Sequence, residues 1–125
     1  MLFDTDVLIW YLRGHAKAAG VIEEDVQRQI SVVSYMELLQ GARDKKEIKL
    51  IRSFIKDFAF KMLPLTENIG QRATVYMEEY SLKVDMCLAD ALLAATAVEY
   101  QATFCTGNVR HYKAIKEIEL KVFHN

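Results

Sequence analysis

Met1-Leu2-Phe3-Asp4-Thr5-Asp6 is the stretch on which the fold turns. Two or three apolar residues run straight into a carboxylate, and helix-type spacing begins at Val7. Met1–Asp4 therefore reads as a short buried strand at the centre of a parallel sheet. Asp4 sits at its carboxyl end, where open α/β sheets place their ligands. A carboxylate there is costly to bury without a partner. The expected partner is a divalent metal, with further acids supplied by the rest of the chain.

Outward from that stretch, strands alternate with helices. Val7, Leu8, Tyr11 and Leu12 form one helical face, with Asp6 or Thr5 as N-cap and Gly14 just past the end. Ala16–Ile22 reads as a second short helix. Ile30-Ser31-Val32-Val33-Ser34 reads as a β-branched strand, followed by a helix over Tyr35–Ala42. Asp44–Phe60 reads as a long amphipathic helix. Met62-Leu63-Pro64-Leu65 is a strand, and Thr66 caps a helix striped by Ile69, Ala73, Tyr76, Met77 and Tyr80. Asp85 is expected to cap the nearly all-apolar helix Met86–Tyr100. Ala102–Thr106 is a strand, Gly107-Asn108 a turn into the short helix Val109–Ile115, and Leu120–Phe123 a closing strand. The alternation predicts one α/β domain over residues 1–125: a three-layer α/β/α sandwich with a mostly parallel central sheet.

The composition limits the function classes. The chain has 125 residues, 52% hydrophobic and 26% charged, with a formal net charge of −1. That balance argues against broad electrostatic capture of nucleic acid, so any basic surface must be local. The apolar fraction lies slightly above the usual range and hints at a self-association face. No apolar run reaches the ~18 residues of a membrane span. Asp4, Asp6 and Arg13 interrupt the first apolar stretch, so no secretory signal is expected, a cytoplasmic location is, and Cys87 and Cys105 are expected as reduced core thiols. The five glycines form neither G-x-G-x-x-G nor a phosphate loop. A phosphoacceptor fold would need an aspartate ending the middle strand, where Leu63-Pro64-Leu65 stands instead.

Three acids break the apolar pattern. Asp4 ends a strand, Glu37 lies one turn into the helix after the second strand, and Asp90 lies early in the buried helix between alanines and leucines. All three should gather at the carboxyl edge of the sheet. Hard oxygen ligands at one site suit Mg²⁺ or Mn²⁺, and such a site supports metal-assisted phosphodiester hydrolysis. Asp6 reads as a local cap. Trp10 and Tyr11 read as packing groups, and no His or Cys spacing suggests zinc.

Four segments together carry a family resemblance: Asp4-Thr5-Asp6-Val7-Leu8-Ile9, Ser31–Ala42, Ala89-Asp90-Ala91-Leu92-Leu93-Ala94-Ala95-Thr96-Ala97, and Thr106-Gly107-Asn108-Val109-Arg110-His111-Tyr112. In this order and spacing the chain resembles a PIN domain, most closely the VapC-type toxins of prokaryotic toxin–antitoxin pairs. The resemblance implies a Mg²⁺- or Mn²⁺-dependent endoribonuclease, a homodimer, and a cognate antitoxin that threads across the groove and over the acids. It matches Asp4, Glu37 and Asp90 to the principal metal-binding acids, Thr106 to the hydroxyl residue ending the fourth strand, and Asn108 to the asparagine of the following turn.

One position departs from the pattern. Where the family often has a fourth acid, this chain has His111. A neutral imidazole binds Mg²⁺ poorly and Mn²⁺ better, and it can contact phosphate or act as a general acid. The change weakens the case for a second metal. RNA contact is expected from a basic rim of Arg43, Lys45, Lys46 and Arg110, of which Arg43 and Arg110 are the candidates carried forward. The rival reading is a PIN-like binding module without nuclease activity, which predicts no cleavage with any metal.

Overall fold

The computed structural model describes residues 1–125. In chain order the elements are β1 Leu2–Phe3, α1 Thr5–Leu12, α2 Ala16–Glu24, β2 Gln29–Ser31, α3 Val32–Gln40, α4 Lys45–Asp57, β3 Lys61–Leu63, α5 Glu67–Tyr80, α6 Leu88–Glu99, β4 Phe104–Thr106, α7 Val109–Tyr112 and β5 Leu120–Val122. The strands lie in the order β3-β2-β1-β4-β5, and every pairing is parallel. β1 is the central strand, as its sequence requires.

Period-two alternation sorts the strand side chains between two apolar layers. Leu2, Leu63 and Phe104 face a layer with Ile69, Leu93 and Tyr112. Phe3, Ile30 and Cys105 face the opposite layer with Val7, Leu8, Ile22 and Phe54. Helices cover both faces, which gives the three-layer sandwich. No helix is long and apolar enough to cross a membrane. Trp10 packs against Phe123 with ring centroids 5.1 Å apart, and Tyr11 stacks on Phe54 at 4.6 Å. Both are packing groups, as expected.

The strand order locates the ligand edge. From β1 the chain winds through β2 to β3 on one side; β4 and β5 then fill the other. The winding direction reverses between β1 and β4, and at such a switch point the strands' carboxyl ends leave a crevice. Asp4 follows β1, and Thr106 ends β4.

Capping moves several expected boundaries. The strand expected over Ile30–Ser34 stops at Ser31, whose Oγ accepts from Val33 N at 3.0 Å and opens α3 there. A side-chain cap outweighs the strand preference of Val32 and Val33. Asp4 itself caps α1, with Oδ1 accepting from Thr5 N at 2.7 Å, so neither Thr5 nor Asp6 is the cap. α4 begins after the Asp44 cap and ends at Asp57, short of Phe60. Asp85 does not cap the buried helix. Its backbone is left-handed, with φ of +55°, and α6 starts at Leu88 behind Cys87. Cys105 is a core thiol as expected, but Cys87 is exposed.

Candidate active site at the carboxyl edge

Asp4 is 6% exposed. Besides Thr5 N, it accepts a hydrogen bond from Thr106 Oγ1 at 2.7 Å, and Thr106 Oγ1 accepts in turn from Asn108 N at 2.9 Å. The ends of β1 and β4 are thereby tied together through side chains. Asp6 sits beside them: Oδ1 accepts from Val7 N at 2.7 Å and Oδ2 from Gly107 N at 3.1 Å.

Glu37 comes from α3, half-buried. Thr5 Oγ1 lies 2.7 Å from Glu37 Oε1 and 2.8 Å from the buried Ser34 Oγ. Thr5 has one hydroxyl proton. It donates that proton to the carboxylate and accepts from Ser34.

Asp90 stands in the first turn of α6, where a carboxylate meets the positive end of the helix. Its Oδ2 accepts from Cys87 N at 3.2 Å, and its Oδ1 accepts from the Tyr112 hydroxyl at 3.1 Å. His111 Nδ1 lies 2.8 Å from Asp90 Oδ2 and 3.0 Å from the side-chain amide of Asn108.

These acids oppose one another's charge. Burial, then the Asp6 charge and more weakly Asp90, push the Asp4 carboxyl up to about 7, against the Thr106 and Thr5 hydrogen bonds that favour ionisation. Burial also raises Asp6. The Tyr112 phenol is driven far above its ordinary range by burial and by the charges of Asp4, Asp90 and Asp6.

The model for the PIN domain matches residues 1–117. The chain belongs to the PIN domain family. Among this PIN domain protein's relatives is ribonuclease VapC10 of Mycobacterium tuberculosis, 33% identical over 123 residues, spanning 95% of this chain and 90% of the relative. Ribonuclease VapC1 of Methanocaldococcus jannaschii is 25% identical, spanning 98% and 86%. Among solved structures, a toxin–antitoxin complex from Klebsiella pneumoniae superposes with a TM-score of 0.79 at 25% identity, over 94% of this chain and 93% of that one. VapBC2 from Rickettsia felis, bound to a DNA fragment from its promoter, gives 0.80 at 15% identity over 98% of both chains. That last likeness is one of fold.

Of the expected site residues, Asp4, Asp90, Thr106, Asn108 and His111 join one hydrogen-bonded and charge-coupled cluster, and Glu37 borders it through Thr5. No three His, Cys, Asp or Glu side chains stand ready-made around one point. The expected three-acid cage is therefore not preformed. The donors are hard oxygens, and a carboxyl pushed up to about 7 by burial and then by its neighbouring acids lacks a counter-charge. This set of hard oxygens fits a divalent cation such as Mg²⁺ or Mn²⁺, with water completing its shell.

The two basic candidates lie outside the cluster. Arg43, with a side chain 88% exposed, pairs with Glu47 at 2.7 Å. Arg110 pairs with Asp85 at 3.2 Å, both largely exposed. Arg43 lines a groove of about 700 Å³ that also includes Glu37, Arg13, Ile9, Leu38 and Leu50.

Sequence reasoning missed Thr5, Ser34 and Tyr112, and gave Asp6 too small a part. The signal available for Tyr112 was its place three residues before Ile115 on one face of the short helix, because a buried tyrosine hydroxyl needs a partner. Thr5 carried no comparable signal, since its contacts lie 29 and 32 residues away.

Proposed function

We propose that this PIN domain protein is a Mg²⁺- or Mn²⁺-dependent endoribonuclease, the toxin of a toxin–antitoxin pair, built as one domain over residues 1–125. The observation that carries the reading is Asp4: a carboxylate buried at the sheet's switch point among other acids, with no cation of the protein beside it. The 33% identity to a ribonuclease VapC along nearly the whole chain supports the reaction class. The likeness to a toxin–antitoxin complex supports the partner.

In this reading Asp4, Glu37 and Asp90 hold the ion. When bound, the ion lowers the pKa of a water and steadies charge on the phosphoryl group. The chain's own groups do the positioning. Thr106 and Thr5 N fix the rotation of Asp4, and Thr5 Oγ1 aims Glu37. Asn108 N holds the Thr106 hydroxyl with its proton toward Asp4. Arg43 and Arg110 offer phosphate contacts, because their present ion pairs are exposed and weak enough for a phosphate to displace.

The antitoxin is assigned to the groove beside Glu37, whose apolar lining suits a peptide segment. Self-association to a homodimer is assigned to the face between α3 and α6. Met36, Leu65 and Leu88 are 50%, 42% and 65% exposed there, around a shared hollow. RNA as substrate places the protein's action in the cytoplasm.

The test is cleavage of total tRNA and ribosomal RNA by purified, antitoxin-free protein in Mg²⁺, Mn²⁺ or EDTA. Activity is expected with metal only, and Asp4→Asn is expected to abolish it. Intact RNA with every metal would favour the binding-module reading. Light scattering at micromolar concentration is expected to give twice the chain mass.

A further inference from the structure

The outer face of α4 carries charge in an arrangement that opposes the helix's own stability. Arg43–Lys56 holds six of the chain's 16 lysines and arginines, although the whole chain has a formal net charge of −1. Lys45, Lys49, Arg52 and Lys56 follow the spacing i, i+4, i+7, i+11. At 3.6 residues per turn they fall within about 60° of one another and run about 16 Å along the helix. All four are exposed. Ile51, Phe54 and Ile55 bury the other side of the helix.

On a solvated helix face, charges three or four residues apart usually alternate in sign, because opposite charges attract there and like charges repel. In this stripe every neighbouring pair is like-charged. Lys45 also stands in the first turn, where the positive end of the helix disfavours a cation. The acids of the segment are engaged elsewhere. Asp44 Oδ1 accepts from Glu47 N at 2.8 Å as the N-cap, and Glu47 pairs with Arg43 at 2.7 Å. Asp57 projects about 100° round the helix from Lys56. None of the four stripe cations is in an ion pair.

The stripe begins beside the candidate site. The first half of α4 lines the groove next to Glu37 through Glu47, Leu50 and Ile51. At the far end, Arg28 Nη1 donates to Phe58 O at 2.9 Å, just before β2 begins at the amino edge of the sheet. The cations therefore run from the site's groove down the flank of the molecule. This face offers charge without an apolar anchor, so a protein partner has little to bury on it. A phosphate backbone needs only the charge, and side chains one helical turn apart stand close enough to meet successive phosphates.

We propose that the outer face of α4 is a docking surface for the phosphate backbone of the RNA substrate, held by Lys45, Lys49, Arg52 and Lys56 away from the acids. The inference rests on the nuclease reading above and deepens it: the substrate's footprint extends beyond the bond that is cut. Such contacts hold and orient an RNA without reading its bases.

The experiment is filter binding of bulk tRNA in EDTA, where metal-dependent cleavage is silent, between about 50 and 200 mM salt. Each phosphate contact contributes about 0.7–0.9 to the slope of log affinity against log salt. The triple variant Lys45→Gln/Lys49→Gln/Lys56→Gln keeps the helix propensity. It is expected to lower that slope by about 2–3 and to weaken binding by at least about tenfold. Lys17→Gln/Lys116→Gln/Lys121→Gln removes the same charge from exposed positions outside α4, and is expected to keep the wild-type slope. Lys45→Arg/Lys49→Arg/Lys56→Arg is expected to bind like the wild type. Circular dichroism establishes that each variant is folded. An unchanged slope in the α4 glutamine variant, or an equal loss in both glutamine variants, would overturn the docking surface and leave the nuclease reading standing. A folded wild type that ignores tRNA would overturn it too, and adherence to phosphatidylglycerol vesicles would then assign the stripe to a membrane. The cleavage assay above judges the nuclease reading separately.

Discussion

At Asp4, opposing effects of known sign meet on one carboxyl. Burial and the neighbouring acids resist ionisation, the Thr106 and Thr5 donors favour it, and the result lies near pH 7. An unfolded aspartate ionises near 3.9. Between those values the folded metal-free protein holds a proton that the unfolded chain has lost, so its stability falls as pH rises from about 4 to about 7 and then levels. Calorimetry in EDTA is expected to show the unfolding midpoint dropping between pH 5 and pH 7.5. Asp4→Asn should remove most of that drop. Cation affinity should run the other way, rising with pH to about 7 as the carboxyl ionises. Thr5→Val tests another residue-scale contact: it keeps the backbone cap donor and deletes the hydroxyl that aims Glu37. Cleavage is expected to fall by about tenfold or more with little change in unfolding temperature. Asp4 and Asp90 were legible in sequence because a charge inside an apolar run demands an explanation. Thr5 was not, because its meaning lies in a partner some 30 residues away.

At the scale of elements, the turn from β4 into α7 is where the site is held to the rest of the fold. Gly107 gives its N–H to Asp6, and a Cβ at this position would lie 2.9 Å from two Trp10 ring carbons and 3.0 Å from Asp6 Oδ2. Trp10 is pinned between Phe123 and His15, so the ring cannot withdraw cheaply. Gly107→Ala is expected to destabilise the protein by about 1–3 kcal/mol, read as a lower urea midpoint, and to lower cleavage further by displacing Asp6. Hydrophobic periodicity recovered every helix and strand of this fold in order. It misplaced their ends where a single side chain decides the matter. Ser31 turns a β-branched run into a helix, and Asp85 lies in a left-handed bend rather than at a cap. Such choices depend on hydrogen bonds that periodicity does not encode.

For the whole molecule, the parallel order β3-β2-β1-β4-β5 divides the interior into two apolar layers that share one sheet. Leu93, 1% exposed under the α6 side, lies in one of them. Leu93→Ala is expected to cost about 2–5 kcal/mol in a cooperative denaturant transition, with the acids at the sheet edge unchanged. The sequence pointed to a parallel sheet through its alternating elements, and to β1 as its centre through the apolar run before Asp4. Which strands flank β1 could not be read along the chain, because that neighbourhood is set by packing between distant segments. The bond from Thr106 to Asp4 spans 102 residues, and this has a consequence for the time course of synthesis. The hydroxyl that orients Asp4 is made about 5–20 seconds after the carboxylate itself at ordinary elongation rates. A chain lacking β4 has no crevice, so whatever this site does to RNA begins only once β4 has been made.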